Sequence, residues 1–364
     1  MSGPNRNDAG PPPATAPGDP SAASPSERLV HLAAAILDEW LPASAVGPEI
    51  TALAGLLRAH ATVHIDPAQA SGDGETRTAC GLAISPTLAG RCADDLARTA
   101  VFLRGLHRAI DDARSLRPDR PVRVLYAGCG PYALLAVPLM ALAEPTALRV
   151  TLLDIHPASI DSARAVVEAF GLGAIVDGYE TVDACAYRVP PDRVPDVVVS
   201  ETMNVCLEKE PQVAIVRHLL SQAPAAALVP AEVRVDACLV DASKEFRFVE
   251  PGERVDHARA ARDRVVLGPV FELSAETTAG WVDTGDERLP AHDVRIPDPL
   301  ERRYTPMLLT SIVVHRDHVL RSYDSGLTIP KPIPVDGPLR GGETLSFHYR
   351  LGPRPGLVCR VASG

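Results

Sequence analysis

Val197-Val198-Val199-Ser200-Glu201-Thr202-Met203-Asn204-Val205-Cys206-Leu207-Glu208-Lys209-Glu210 is the stretch on which the fold turns. The valine run, led in by Asp196, reads as a buried strand. A helical pattern follows at Val213, Ile215, Val216, Leu219 and Leu220. Open α/β sheets present reactive groups in such loops, because ligands sit outside the carboxyl ends of their strands. Glu201, Glu208 and Glu210 gather three carboxylates at one strand end. Taken alone, the loop reads more readily as a solvated acidic turn than as a site.

The flanking sequence changes that reading. Upstream, Val122–Ala127 reads as a strand, and Gly128-Cys129-Gly130-Pro131 turns it into an apolar helix over Leu134–Leu142. A second strand, Val150–Asp154, ends in an acid and precedes a helix carrying Ile160, Ala163, Val166, Val167 and Phe170, closed by Gly171. A short strand near Ala174–Val176 and a loop through Asp183 lead to the valine run. Strand and helix patterns thus alternate over 122–222, which predicts a parallel sheet with helices on both faces. Beyond Pro224 the period changes to two: Val233, Val235, Ala237 and Leu239, then Arg264–Leu267, Leu308–His315, His318–Leu320, Thr344–Leu351 and Leu357–Val361. These runs predict a mostly antiparallel, barrel-like β domain. Residues 276–304 hold few large apolar side chains and read as a long excursion.

The N-terminal third reads as helical. Residues 1–23 are rich in Pro, Gly, Ala and Ser and are expected to be a disordered tail. Ser24-Pro25-Ser26-Glu27 is a helix start, with Ser24 as cap and Glu27 at the capping-box position. A second helix is expected over Pro48–His60, a turn at Ser71–Gly74, and one long helix from Pro86 to about Ser115. The expected organisation is therefore a tail (1–23), a helical region (24–118), a Rossmann-like sheet (119–227) and a β domain (228–364).

Bulk properties narrow the function. The 364 residues carry a net charge of −10, with pI near 5.6, against a general nucleic-acid binder. Seven cysteines without a C-x-x-C pair suit a reduced, cytoplasmic setting and offer no zinc spacing. No apolar run reaches the ~18 residues of a membrane span. The N-terminus lacks the order of a signal peptide. His315, His318 and His348 fall on β-domain strands and read as surface or core histidines, so no metal is expected.

Gly128-x-Gly130 after one strand and Asp154 at the end of the next form a nucleoside-binding arrangement. The glycines admit a ligand close to the backbone, and the acid accepts hydrogen bonds from ribose hydroxyls. Tyr132 stands where a further glycine would pack a helix over a pyrophosphate. S-adenosylmethionine (SAM), which has no pyrophosphate, therefore fits better than a dinucleotide.

With these motifs in place, residues 78–240 resemble the catalytic region of the protein arginine methyltransferase family. Gly128-Cys129-Gly130 and Asp154 match its SAM-binding motifs, and Asp183 falls where it places an acid near the adenine. Arg98-Thr99 resembles an Arg-Thr pair whose arginine meets the cofactor carboxylate. Ser200, Glu201, Met203, Cys206, Leu207 and Glu210 are in register with a Ser-Glu-x-Met loop whose second glutamate follows nine residues after the first. The resemblance implies that Glu201 and Glu210 clamp a guanidinium and that Met203 limits space beside it. Glu208 is expected to be solvated, Arg98 to pair with Asp94 or Asp95 if it is not a cofactor contact, and Cys129 and Cys206 to be small packing residues. It also implies a homodimer, with residues 242–275 as a candidate arm.

Four departures qualify it. Tyr126 replaces an acid and Tyr132 a glycine, and the aromatic-rich helix before Arg98 is absent. Thr328-Ile329-Pro330 stands in the place of a Thr-His-Trp loop. The expected acceptor is therefore the guanidino group of free arginine or a small metabolite, as in natural-product biosynthesis, or of a peptide side chain. A small-molecule O- or N-methyltransferase and a non-catalytic SAM-binding protein are the alternatives.

Overall fold

The computed structural model describes residues 23–65, 74–246, 262–281, 287–335 and 337–362. Residues 1–22 of the expected tail, Ser71–Asp73 of the expected turn and 247–261 of the candidate arm lie outside the described residues.

The chain opens with α1 (Pro25–Leu37), and its start is the anticipated capping box. Ser24 Oγ accepts from Glu27 N–H, and the Glu27 carboxylate accepts from Ser24 N–H at 2.8 Å. Helix α2 (Gly47–His60) follows, then an antiparallel hairpin of β1 (Thr76–Arg77) and β2 (Leu82–Ala83). The long helix expected from Pro86 to Ser115 is instead two. Helix α3 (Pro86–Arg91) passes through a 3-10 turn at Cys92–Asp94, and α4 (Leu96–Leu116) starts afresh. The cause is Asp95, which takes extended backbone and caps α4 by accepting from Arg98 N–H at 3.2 Å.

Arg104 binds α4 to α1. Its buried guanidinium donates to the carbonyls of Ile36 (2.7 Å), Leu41 (2.8 Å) and Asp38 (2.8 Å), which the end of α1 leaves without helical partners. Helix α1 has no basic residue in its last turn, so Arg104 meets that need from a distance. Arg104→Met, which keeps the stem but not the donors, is expected to lower stability by about 2 kcal/mol, measured by urea unfolding.

Next comes a five-stranded parallel sheet. Its strands are β3 (Val122–Ala127), β4 (Leu148–Asp154), β5 (Val176–Thr181), β6 (Val197–Ser200) and β7 (Ala227–Val229), in the order β5-β4-β3-β6-β7. Its helices are α5 (Val137–Met140), α6 (Pro157–Ala169) and α7 (Gln212–Gln222). Three local expectations are corrected. The Leu134–Leu142 helix shrinks to α5, because Pro138 suits only a helix's first turn. Gly173–Ile175 is a 3-10 turn, and the strand runs over Val176–Thr181 instead. Leu228-Val229 closes the parallel sheet as its edge strand rather than opening the β domain. Ala127 pairs with both Leu153 and Ser200, so the carboxyl ends of β3, β4 and β6 lie side by side. That register puts the glycine turn, Asp154 and Glu201 on one edge.

The remaining chain is antiparallel. Strand β8 (Glu232–Asp241) leads through α8 (Ala242–Glu245) to β9 (Arg264–Ser274) and α9 (Ala275–Gly280). Then come β10 (Arg288–Pro290), β11 (Val294–Arg295), β12 (Tyr304–His315), β13 (His318–Leu320), β14 (Lys331–Pro332), β15 (Thr344–Arg350) and β16 (Gly356–Ala362). One sheet runs β13-β12-β8-β9 with β14 on β12, and the other runs β10-β15-β11 with β16 on β15. The supposed excursion at 276–304 therefore supplies α9, β10 and β11. Leu289, Val294 and Ile296 within it are buried, which is enough to seat short strands. The inward side chains of both sheets, among them Val235, Leu308, Phe347 and Tyr349, join one apolar core with the parallel sheet. Among the described residues, no helix is long and apolar enough to cross a membrane.

Candidate active site

The first turn of the sheet is built for close approach. Gly128 (φ 73°) and Gly130 (φ 63°) both take left-handed backbone, which favours glycine. A Cβ at Gly128 would fall 2.2 Å from Cγ2 of Thr202, so glycine here lets the turn and the acidic loop meet. The amides of Gly128 and Cys129 both donate to the Leu153 carbonyl at 2.9 Å. Asp154 completes the turn: its Oδ2 accepts from Gly130 N–H at 3.0 Å and its Oδ1 from His156 N–H at 2.9 Å.

The acidic loop is held just as tightly. Gln212, fully buried at the first position of α7, accepts through Oε1 from Thr202 N–H and Thr202 Oγ1, each at 2.9 Å. Its Nε2 donates to the Ser200 carbonyl at 2.9 Å. The backbone on either side of Glu201 is therefore fixed by one amide. Sequence reasoning missed Gln212; the available signal was a polar side chain starting an otherwise apolar helix face. Hairpin β1–β2 was missed too. It closes over the loop, with Leu82 N–H donating to the Lys209 carbonyl at 2.8 Å. His156, also missed, shares a 3.1 Å contact with Thr76 Oγ1 of that hairpin.

One cavity gathers Arg98, Gly128, Cys129, Gly130, Asp154, Asp183, Glu201 and Glu210. Met203 is not among its walls; its side chain is 3% exposed and packs into the core. Cys206 is buried and also lies outside the cavity walls, and Cys129 is a small buried wall residue. Asp183 sits at the far side, accepting from Cys185 N–H at 2.9 Å. Tyr132, in the place of a glycine, packs its ring against Gly90 of α3.

Two expectations about charged side chains are corrected. Arg98 does not pair with Asp94 or Asp95 but with Glu201; the two side chains are 12% and 10% exposed. Asp94 belongs to Arg58 (2.6 Å), and the Asp95 carboxylate is taken by its cap and by Ser325 Oγ at 2.7 Å. The Asp95–Ser325 bond also ties α4 to the turn ending at buried Thr328. Glu208 is not a freely solvated acid: it pairs with Lys331 of β14, away from the cavity.

The electrostatics are unbalanced. Burial raises the Glu201 pKa, with Arg98 opposing it. Burial, then the nearby Glu201 and Glu75, push Glu210 up to about 8, again against Arg98. Burial disfavours the charge on Arg98, yet Glu201 outweighs it and keeps the guanidinium ionised. Glu201 Oε1 is buried without a hydrogen-bond partner. Two buried carboxylates thus share Arg98, and one acceptor oxygen waits for a donor. Elsewhere, His315 pairs with Asp112 at 2.8 Å and His318 with Glu39 at 3.3 Å. No group of three or more potential metal ligands occurs among the described residues.

No protein-family model and no curated protein matches the chain. Solved structures similar to it include two arginine methyltransferases. One is the Trypanosoma brucei PRMT1 enzyme–prozyme heterotetrameric complex with AdoHcy. It is 16% identical, covers 72% of this chain and 87% of its own, and has a TM-score of 0.47. The other is Arabidopsis thaliana protein arginine methyltransferase 10 in an open conformation. It is 14% identical, covers 70% of this chain and 84% of its own, and has a TM-score of 0.46.

Proposed function

We propose that this protein is a SAM-dependent N-methyltransferase, of the arginine methyltransferase kind, acting on a guanidino group. The orphan Glu201 Oε1, together with Glu210 whose carboxyl burial and Glu201 push up to about 8, carries the reading. A guanidinium presents five N–H donors in a planar fork, the shape that two facing carboxylates bind best. Placed between Glu201 and Glu210, it would give Glu201 Oε1 a donor and draw Glu210 into its ionised form, so that both carboxylates face the cation. The carboxylates would then hold it in one orientation, which contributes up to about 7–11 kcal/mol in ideal cases.

The cavity's other wall fits the cofactor. The Gly128–Gly130 backbone leaves room for a nucleoside, Asp154 offers acceptors for ribose hydroxyls, Asp183 reaches the adenine side, and Arg98 is the cation for a carboxylate. When bound, SAM supplies an electrophilic methyl group. Glu210 is suited to receive the proton that the guanidinium must shed, since its carboxyl is poised near neutral pH.

Within this reading the acceptor is free arginine or a small guanidino metabolite of a biosynthetic pathway, in the cytoplasm. Support comes from the hairpin that closes on Lys209 and from Thr328-Ile329-Pro330 in place of a peptide-facing loop. A homodimer through residues 242–275 belongs to the same proposal.

Calorimetry with SAM, followed by a labelled-methyl assay on arginine, an arginine-rich peptide and unrelated amines, tests it. Methylated arginine or peptide supports the proposal and selects the acceptor. Methylation of the unrelated amines alone would make it a different methyltransferase. Binding of SAM without turnover on any acceptor would make it a binding protein.

A further inference from the structure

We propose that Cys80 and Cys185 form an oxidation site, a dithiol that a two-electron oxidant such as a peroxide closes into a disulfide across the edge of the cofactor cavity. Cys80 lies at the tip of hairpin β1–β2, in a turn held by Thr78 N–H on the Gly81 carbonyl (2.8 Å) and by Cys80 N–H on Thr78 Oγ1 (3.0 Å). Cys185 lies two residues after Asp183, in a turn that the Asp183 carboxylate fixes. The two cysteines line one cleft beside α7 and α9, and each thiol influences the other's ionisation. Both are half-buried, so a small oxidant reaches them. By contrast, Cys129, Cys206 and Cys238 are buried.

The chemistry distinguishes the two sulfurs. The neighbouring Cys185 favours the thiolate of Cys80, while Cys80 and burial disfavour that of Cys185. Cys80 is therefore the attacking group and Cys185 the resolving one. The Cys80 thiolate attacks one peroxide oxygen; an S–O bond forms, the O–O bond breaks, and the departing hydroxide takes up the thiol proton as water. Cys185 sulfur then attacks the sulfenic sulfur; the S–S bond forms, the S–O bond breaks, and a second water leaves. Two thiols are oxidised and one peroxide is reduced to two waters.

The consequence follows from what each thiol is attached to. Thr78 and Leu82 of the hairpin segment and Asp183 all line the cofactor cavity. A covalent link from Cys80 to Cys185 would staple the hairpin to the Asp183 loop and restrict passage at that side. This inference does not depend on the identity of the acceptor, and the link itself is read without any ligand.

The full-length chain is treated with stoichiometric hydrogen peroxide, alkylated, digested and mapped by mass. We expect a chain lighter by two hydrogens, a Cys80–Cys185 cross-linked peptide, and reversal by dithiothreitol. Neither Cys80→Ser nor Cys185→Ser should give the link. Hydrogen–deuterium exchange over 76–83 should slow at least tenfold in the oxidised form, and not in peroxide-treated Cys185→Ser. Absence of the linked peptide overturns the site. A link that leaves exchange unchanged overturns the staple. Release of S-adenosylhomocysteine, measured in parallel, should slow upon oxidation. If neither form binds this nucleoside, the cofactor reading fails, while mass and exchange still decide the dithiol.

Discussion

Glu201→Gln is expected to lower methyl transfer to a guanidino acceptor by roughly two to three orders of magnitude, the scale on which one preorganised electrostatic contact matters. SAM affinity should change far less. Gln keeps the length of the side chain and an oxygen for Arg98, so the cofactor wall stays in place. What disappears is the charge that aligns the acceptor fork and the second carboxylate oxygen, now buried without a partner. Glu210→Gln should produce a loss of similar size, because a bidentate guanidinium needs both ends of the clamp. The effects should not add, since either substitution alone breaks the same two-sided contact. Radiolabelled methyl transfer and calorimetric SAM binding, measured on the same preparations, separate the outcomes. If both variants transfer methyl groups at near-parental rates with normal SAM affinity, the clamp is wrong. If SAM affinity collapses in Glu201→Gln, the pair it makes with Arg98 serves the cofactor rather than the acceptor.

How far the sequence led depended on whether a feature is local. The valine run, the glycine turn and Asp154 were legible because strand ends and left-handed turns write themselves into consecutive residues. So was the capping box of α1, in which Ser24 and Glu27 are three apart. The period-two runs likewise located β8, β12, β15 and β16 to within a few residues. What failed were contacts between segments far apart in the chain. The Arg98–Glu201 pair joins residues more than a hundred positions apart, and sequence reasoning chose the neighbouring aspartates instead. Glu208 and Lys331 are as distant, so a charged side chain in an acidic loop read as solvated. Arg104 likewise reaches the carbonyls at the end of α1, more than sixty positions away. Gly81 gave no sign that a Cβ there would fall 2.8 Å from the Lys209 carbonyl. Met203 shows the converse: it lies in the acidic loop as read, yet its side chain is buried in the core. Periodicity reports which face is buried, but not what buries it.

The same Glu210 that the clamp requires should weaken the fold as pH rises. Burial, then Glu201, lift its carboxyl from an ordinary value of 4.5 to about 8. A carboxyl raised in this way favours the folded state while it is protonated. Below pH 4.5 the folded and unfolded chains both carry that proton, and the contribution is constant. Between pH 4.5 and 8 the unfolded chain has released it and the folded one has not. Each pH unit in that window then removes about 1.4 kcal/mol of stability from this group alone. Above pH 8 both states are ionised and the loss levels off, at a total on the order of 5 kcal/mol. Glu201, raised by burial as well, adds a slope of the same sign. Glu210→Gln removes the titration but keeps the shape. Its urea-unfolding free energy should therefore fall less from pH 5 to pH 8 than the parent's, and at pH 8 the variant should be the more stable protein. Bound guanidino substrate should shrink the difference, since a cation between the carboxylates stabilises the ionised form. Parallel pH–stability curves for parent and variant would mean that Glu210 titrates normally. Its place in the clamp would then lose its electrostatic basis. A variant that gains stability at pH 8 while losing methyl transfer would instead mark Glu210 as a residue kept for chemistry at the expense of the fold.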